Sequence, residues 1–184
     1  MKKISTKDLT LIGLFAALVV VGAFIRIPVP VVPFTLQLLF TTLAGLLLGG
    51  KNGAISVGVY LCLGLFGLPV FASGGGFSYV LNPTFGYLLG FCAGAYLTGK
   101  IANASPQPSF PRLLAASFSG LLVVYLFGLI YYYIISNFYL GSPIGLWPLF
   151  LYGFILAVPG DIALCILASV LGKRLIPLIQ KNRV

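Results

Sequence analysis

Acidic residues are almost missing from this chain of 184 residues, which has two, Asp8 and Asp161, against 11 lysines and arginines. Histidine is absent altogether, which removes the commonest general base at neutral pH and the commonest metal ligand. The three cysteines, Cys62, Cys92 and Cys165, are odd in number and lie in apolar stretches. They read as small buried hydrophobes, with neither a disulfide framework nor paired metal-ligand spacing, so no metal site is expected. Charged residues make up only 7% of the chain, too few to coat a soluble domain.

The net charge of +9 raises the question of nucleic acid. The basic residues flank hydrophobic segments instead of forming a stripe, which argues against such a partner. The triple glycine Gly74-Gly75-Gly76 is not followed by lysine and Ser/Thr at P-loop spacing, so nucleotide binding is not expected.

What fills the chain is apolar. Hydrophobic residues account for 60%, and there are 23 glycines, as expected where transmembrane helices pack closely or break. Spans of roughly 17 to 25 apolar residues predict helices near 8–26, 35–50, 52–69, 83–101, 110–136 and 147–176. The second is short, and the sixth is interrupted around Pro159. Lys2, Lys3 and Lys7 precede an apolar run over 9–25; that run is long for a secretory signal, and five more segments follow, so cleavage is not expected.

Six crossings place both termini on one side. With the termini inside, that side holds Lys2, Lys3, Lys7, Lys51, Lys100, Arg112, Lys173, Arg174, Lys181 and Arg183, ten of the 11 basic residues, and the outside holds Arg26. This asymmetry is the positive-inside pattern. The expected fold is therefore an all-α integral membrane protein of six transmembrane helices, both termini cytoplasmic, forming a single membrane domain over 1–184. The composition makes it a multi-pass membrane protein.

Asp161 sits within the apolar run 150–171. A carboxylate at membrane depth is costly and is rarely there without a partner. Proline and glycine in Pro159-Gly160-Asp161 favour a helix break or start at the same point. Together they point to a ligand or ion site; the alternative is a helix-capping aspartate. At 1.5 Å per residue Asp161 lies about 18 Å above Lys173, somewhat outside the bilayer centre.

Arg26 ends the first helix, about 28 Å from Lys7 by the same rise. The following Ile27-Pro28-Val29-Pro30-Val31-Val32-Pro33 cannot continue a helix and reads as a stiff, extended connector, with Thr35 and Gln37 opening the next one. Arg26 taken alone is better read as an interfacial, snorkelling cation. The uncharged loop 69–83 contains Ser73-Gly74-Gly75-Gly76 and ends Leu81-Asn82-Pro83-Thr84, and is expected to fold over a cavity. The outer half thus offers a carboxylate below, the Asn82 amide, and a guanidinium near the rim. A matching ligand is neutral and hydrogen-bond-donating at one end, anionic at the other, and apolar between.

The stretch Arg26-Ile27-Pro28-Val29-Pro30-Val31-Val32-Pro33-Phe34-Thr35-Leu36-Gln37 is followed by Gly67-Leu68-Pro69-Val70-Phe71, Gly74-Gly75-Gly76, Asn82-Pro83-Thr84-Phe85-Gly86-Tyr87-Leu88-Leu89-Gly90-Phe91 and Pro159-Gly160-Asp161. In order and spacing, over almost the whole chain, these resemble the BioY family, the biotin-binding S component of energy-coupling-factor (ECF) vitamin transporters. The resemblance implies a protein that captures biotin outside and associates with a transmembrane scaffold subunit and two cytoplasmic ATPases. It implies no cofactor, ATP being used by the partners alone. Biotin's ureido N–H groups would donate to Asp161, its ureido oxygen would accept from Asn82, and Phe71, Tyr79, Phe85 and Tyr87 are aromatic candidates around the bicyclic ring. Gln37 and the glycines 74–76 complete the expected substrate-binding set.

Many members of that family carry a lysine three residues after the aspartate, where this chain has Leu164, so a role resting on that lysine does not transfer. Arg26 is then the expected carboxylate partner, with the backbone N–H groups of loop 74–76 or water as alternatives. S components generally present small residues of the first helix to the scaffold. Gly13 and Ala17, with Ala16 and Ala23 nearby, fit that face, and they fit packing inside the bundle equally well.

Other classes find less support. An intramembrane enzyme needs paired acids, an activated nucleophile or metal ligands, and a channel needs rings of charge or carbonyls. A structural subunit leaves Asp161 unexplained. The near alternatives are an S component for another small vitamin and a biotin transporter working without partners.

Overall fold

Twelve residues at the centre of the bundle, Gln37–Leu48 (α2), are buried all round, with eleven of the twelve shielded from the surroundings. A helix shielded on every side, its polar Gln37, Thr41 and Thr42 included, must be enclosed by others. The computed structural model describes residues 5–27 and 32–181. Lys2, Lys3, Arg183 and the connector residues 28–31 lie outside the described residues.

α1, Thr6–Phe24, begins at a capping box in which Ser5 Oγ accepts from the Asp8 amide and Asp8 accepts from the Ser5 amide. Two orphan amides of the first turn are thereby paired. α1 packs on α2 and on α3, Gly50–Leu65. Between α1 and α2, Arg26–Ile27 pairs antiparallel with Phe34–Thr35. Residues without proline flank the proline cluster, so the flanks keep the amides that a ladder requires.

α2 turns directly into α3 at Gly49, whose φ of 85° is the left-handed conformation that favours glycine. α4, Phe85–Ala102, then lies against both. A Cβ at Gly99 would sit 2.3 Å from the Gly50 amide nitrogen, and one at Gly45 would sit 2.5 Å from the Ala95 carbonyl oxygen. Backbone thus touches backbone, the geometry small residues give to membrane helices. α5, Phe110–Ile134, packs on α4 in the same way and extends through a π-helical turn, Ile135–Tyr139. Thr98 Oγ1 donates to the Ala116 carbonyl, and the Ser117 and Ser169 hydroxyls meet at 3.1 Å, joining α4, α5 and the last helix through buried polar contacts.

The sixth rod is α6, Leu146–Phe150, a π-helical turn, Leu151–Ile155, and α7, Val158–Lys181. The interruption falls one turn before Pro159, not at it. A proline is at home in the first turn of a helix, and its ring clashes with the carbonyl four residues upstream; here that is Ile155, the last residue of the π-helical turn. α7 continues through Pro177.

Three rods, α1, Phe110–Tyr139 and Leu146–Ile179, are long and apolar enough to cross a bilayer, while α2 is a shorter apolar helix. At 1.5 Å per residue α2 spans about 18 Å, which suits an element sheltered by its neighbours instead of lipid.

The close approach at Gly99 generates a test. Gly99→Val should lower the melting temperature of the purified protein by roughly 5 °C or more, through overpacking against α2–α3 backbone. Gly58→Ala, where an added methyl meets no atom within 4 Å, should leave it within about 1 °C or raise it slightly. Equal effects in thermal scanning would contradict the packing described.

Candidate ligand-binding site

The antiparallel ribbon and the start of α2 bring Phe34, Thr35, Gln37 and Leu38 to one wall of a cavity. Ala72, Tyr79 and Thr84 of the 66–84 loop form its roof, α4 adds Tyr87, Leu88 and Phe91, α5 adds Val124 and Tyr125, and Ala157 and Asp161 complete it. The free cavity between these walls is narrow, about 60 Å³, against roughly 300–1,000 Å³ in small-molecule sites generally, so the walls must part to seat a ligand of that size. Most of the lining is apolar or aromatic, and Asp161 is its one charged group.

Pro159 and Gly160 place that carboxylate. Pro159 starts α7, so Asp161 falls in the first turn of the helix, where the partial positive charge of free amides favours an anion. Gly160 has ordinary backbone and serves by being small: a Cβ there would lie 2.4 Å from the Phe34 ring. Phe34 therefore rests on the beginning of α7, beside Asp161. The carboxylate is not bonded to its own helix end, as a capping aspartate would be. Its Oδ2 accepts from the Tyr125 hydroxyl on α5, while Oδ1 takes no hydrogen bond from the described residues.

The remaining polar groups form short tethers. Gln37 Nε2 donates to the buried Tyr60 hydroxyl at 2.7 Å, and Thr35 Oγ1 lies 3.4 Å from Gln37 Oε1. Tyr87 OH donates to the Gly153 carbonyl of the π-helical turn at 2.7 Å. Tyr79 OH and Thr84 Oγ1 meet at 3.3 Å, and Thr84 in turn donates to Asn82.

Of the residues singled out in the sequence, Asp161, Gln37, Tyr79 and Tyr87 line the cavity together. Asn82 stands one step behind, its Oδ1 accepting from both the amide and the hydroxyl of Thr84 at the start of α4. Arg26 is exposed and does not line the cavity; it donates to the carbonyl of Ala72, a roof residue. Phe71 is buried in the core between Tyr60 and Tyr79, with centroids 5.4 and 4.6 Å away, and Phe85 packs on Tyr131 at 5.9 Å.

The triple glycine shapes the roof: Phe71 and Gly74 exchange backbone hydrogen bonds, and Gly74 and Gly76 have φ of 121° and 102°. A Cβ at Gly75 would meet the Leu68 carbonyl oxygen at 2.1 Å. Gly13 and Ala17 lie exposed on one face of α1, whereas Ala16 is buried inside the bundle.

Sequence reasoning missed Tyr125, Thr84 and Phe34 as cavity residues. Tyr125 carried one usable signal: it lies seven residues after Phe118 and three before Gly128 on a helix whose buried positions recur at Leu121, Val124, Tyr125 and Gly128. That spacing marks an inward face.

Six helical rods, three of them long and apolar, around a cavity with one carboxylate define a polytopic membrane protein with a small-molecule site. The chain belongs to the BioY family, whose model matches residues 1–181. The "Probable biotin transporter BioY" of Lysinibacillus sphaericus is 43% identical over 183 residues, 100% of this chain and 93% of that protein. The "Biotin transporter BioY" of Rhizobium etli is 34% identical over 183 residues, with 92% of each chain covered. The crystal structure of the S-component for biotin from an ECF-type ABC transporter is 31% identical, with a TM-score of 0.78 over 92% of this chain and 90% of that one. The protein is accordingly a multi-pass membrane protein of a transporter family.

Proposed function

We propose that this chain is the biotin-binding S component of an ECF-type transporter, capturing biotin from the external side and passing it inward with ATP-driven partners. The observation that carries the reading is the Asp161 carboxylate, whose Oδ1 takes no hydrogen bond from the described residues, in a cavity walled mostly by apolar and aromatic groups. A cyclic urea brings N–H donors to that oxygen, and a charge-assisted hydrogen bond in a dry cavity is among the stronger ones available. The thiophane ring and alkyl chain match the Phe34, Tyr79, Leu88 and Phe91 walls. The carboxylate end would reach toward the mouth, where Arg26 is the nearby cation.

The orientation follows from charge. With both termini cytoplasmic, the basic residues collect inside and the mouth faces out, as the positive-inside pattern requires. The chain carries no nucleotide-binding motif, so a scaffold subunit and two ATPases would supply the energy. Gly13 and Ala17, exposed on α1 with open space at Gly13, form the face we assign to scaffold docking; Ala16, being buried, packs within the bundle.

Tritiated biotin should bind the purified chain and resist competition by riboflavin and thiamine. Asp161→Asn should weaken it by about tenfold or more, because an amide accepts without the charge that strengthens the bond. Displacement by another vitamin would reassign the substrate, and an unaltered affinity in Asp161→Asn would remove the carboxylate from the site.

The Arg26 assignment makes a separate prediction. Arg26→Ala should weaken biotin by about tenfold while changing biotin methyl ester by less than about twofold, the difference being the ion pair. Equal losses by calorimetry would leave Arg26 as the residue that holds Ala72 and the roof, and no more.

A further inference from the structure

Tyr125 does two things at once in this fold. Its hydroxyl donates to Asp161 Oδ2, and its ring is held by aromatic edges from two other elements. Phe154 of the π-helical turn lies 4.7 Å away at 74°, and Tyr87 of α4 lies 6.2 Å away at 86°. Edge-to-face contacts of this kind are favourable and directional. Tyr87 is fixed in turn by its bond to the Gly153 carbonyl, so the upper half of the broken rod is tied to α4. The start of α7 is tied to α5 through Tyr125.

A carboxylate on a free side chain rotates about two bonds, and both oxygens would then compete for solvent and ligand. Here one oxygen is taken by a hydroxyl whose ring is packed against Phe154 and Tyr87, and the other takes no hydrogen bond from the described residues of this cavity wall. Preorganising a binding group through a neighbour's hydrogen bond lowers the ordering cost that binding would otherwise meet. We propose that Tyr125 is the positioning residue of the site: it holds the Asp161 carboxylate by Oδ2 so that Oδ1 alone is presented to a ligand N–H. The proposal rests on the reading of the cavity as a biotin site. It also narrows it, since one carboxylate oxygen, not two, meets the cyclic urea.

Tyr125→Phe keeps the ring and removes the hydroxyl. In the purified full chain it should weaken biotin by about tenfold, as loss of a bond to a charged group does. Introduced into Asp161→Asn, the same change should cost less than about twofold, because residues acting through one another are not additive. Multiplicative losses in the double variant, or unaltered affinity in Tyr125→Phe, would overturn the proposal.

The contact also has a readout that needs no ligand. The carboxylate stretching band of Asp161, assigned by infrared difference against Asp161→Asn, should shift in Tyr125→Phe. An unshifted band would overturn the proposal even if affinity fell, since the loss would then be a packing effect. If the wild-type chain bound no biotin, the functional reading would fail, while the infrared comparison would still decide whether Tyr125 holds the carboxylate. Should Tyr125→Phe not purify as a single species, the wild-type band decides: a position typical of a hydroxyl-bonded carboxylate supports the proposal, and that of an unbonded one overturns it.

Discussion

A single carboxylate inside an apolar bundle imposes the constraint from which the rest of this structure follows. A charge there is tolerated only with a partner and a reason, and Asp161 accepts from Tyr125 of a neighbouring helix. To bring that oxygen into a cavity, the sixth rod is broken and restarted, so that Asp161 falls in the first turn of α7 instead of mid-helix. Phe34 can rest beside it because Gly160 leaves room for a ring. The proline–glycine–aspartate run is thus one device: the proline sets the start, the glycine admits the wall, and the aspartate faces the space between.

The cavity exists because its surroundings are packed so closely. α2 is short and enclosed on all sides, and glycines at 45, 50, 53 and 99 let α2, α3 and α4 touch through their backbones. Beside this compact packing, Tyr79, Tyr87 and Tyr125 line the cavity. The roof is stiffened from several directions: Arg26 holds Ala72, Tyr131 holds the Val80 carbonyl, and Gly76 donates to the Gly64 carbonyl. Dense packing below and a tethered loop above leave an apolar space with few, fixed polar groups, the general form of a small-molecule site.

The helices were legible because long apolar runs admit few other structures in a membrane, and Asp161 was legible because a lone acid in such a run has no ordinary explanation. The π-helical turn was not, since the effect of Pro159 is felt at the carbonyl four residues upstream. Tyr125 was hidden by abundance: aromatic residues make up 14% of the chain, and only tertiary packing distinguishes the one facing Asp161. Asn82 and the glycines 74–76 read as ligand groups in the sequence; in the structure Asn82 Oδ1 accepts from the amide and hydroxyl of Thr84, just ahead of α4, and the glycines fold the roof. Turn residues and binding residues share a chemistry, and sequence does not separate them.

The central claim, that one oxygen of a tethered carboxylate reads the ligand's donor end, is tested most directly by a structure of the protein with biotin bound. The account predicts a ureido nitrogen within hydrogen-bonding distance of Asp161 Oδ1, the Tyr125 hydroxyl still on Oδ2, and the valerate carboxylate directed to the mouth near Arg26. Biotin bound the other way round, or with its ureido ring away from Asp161, would contradict it.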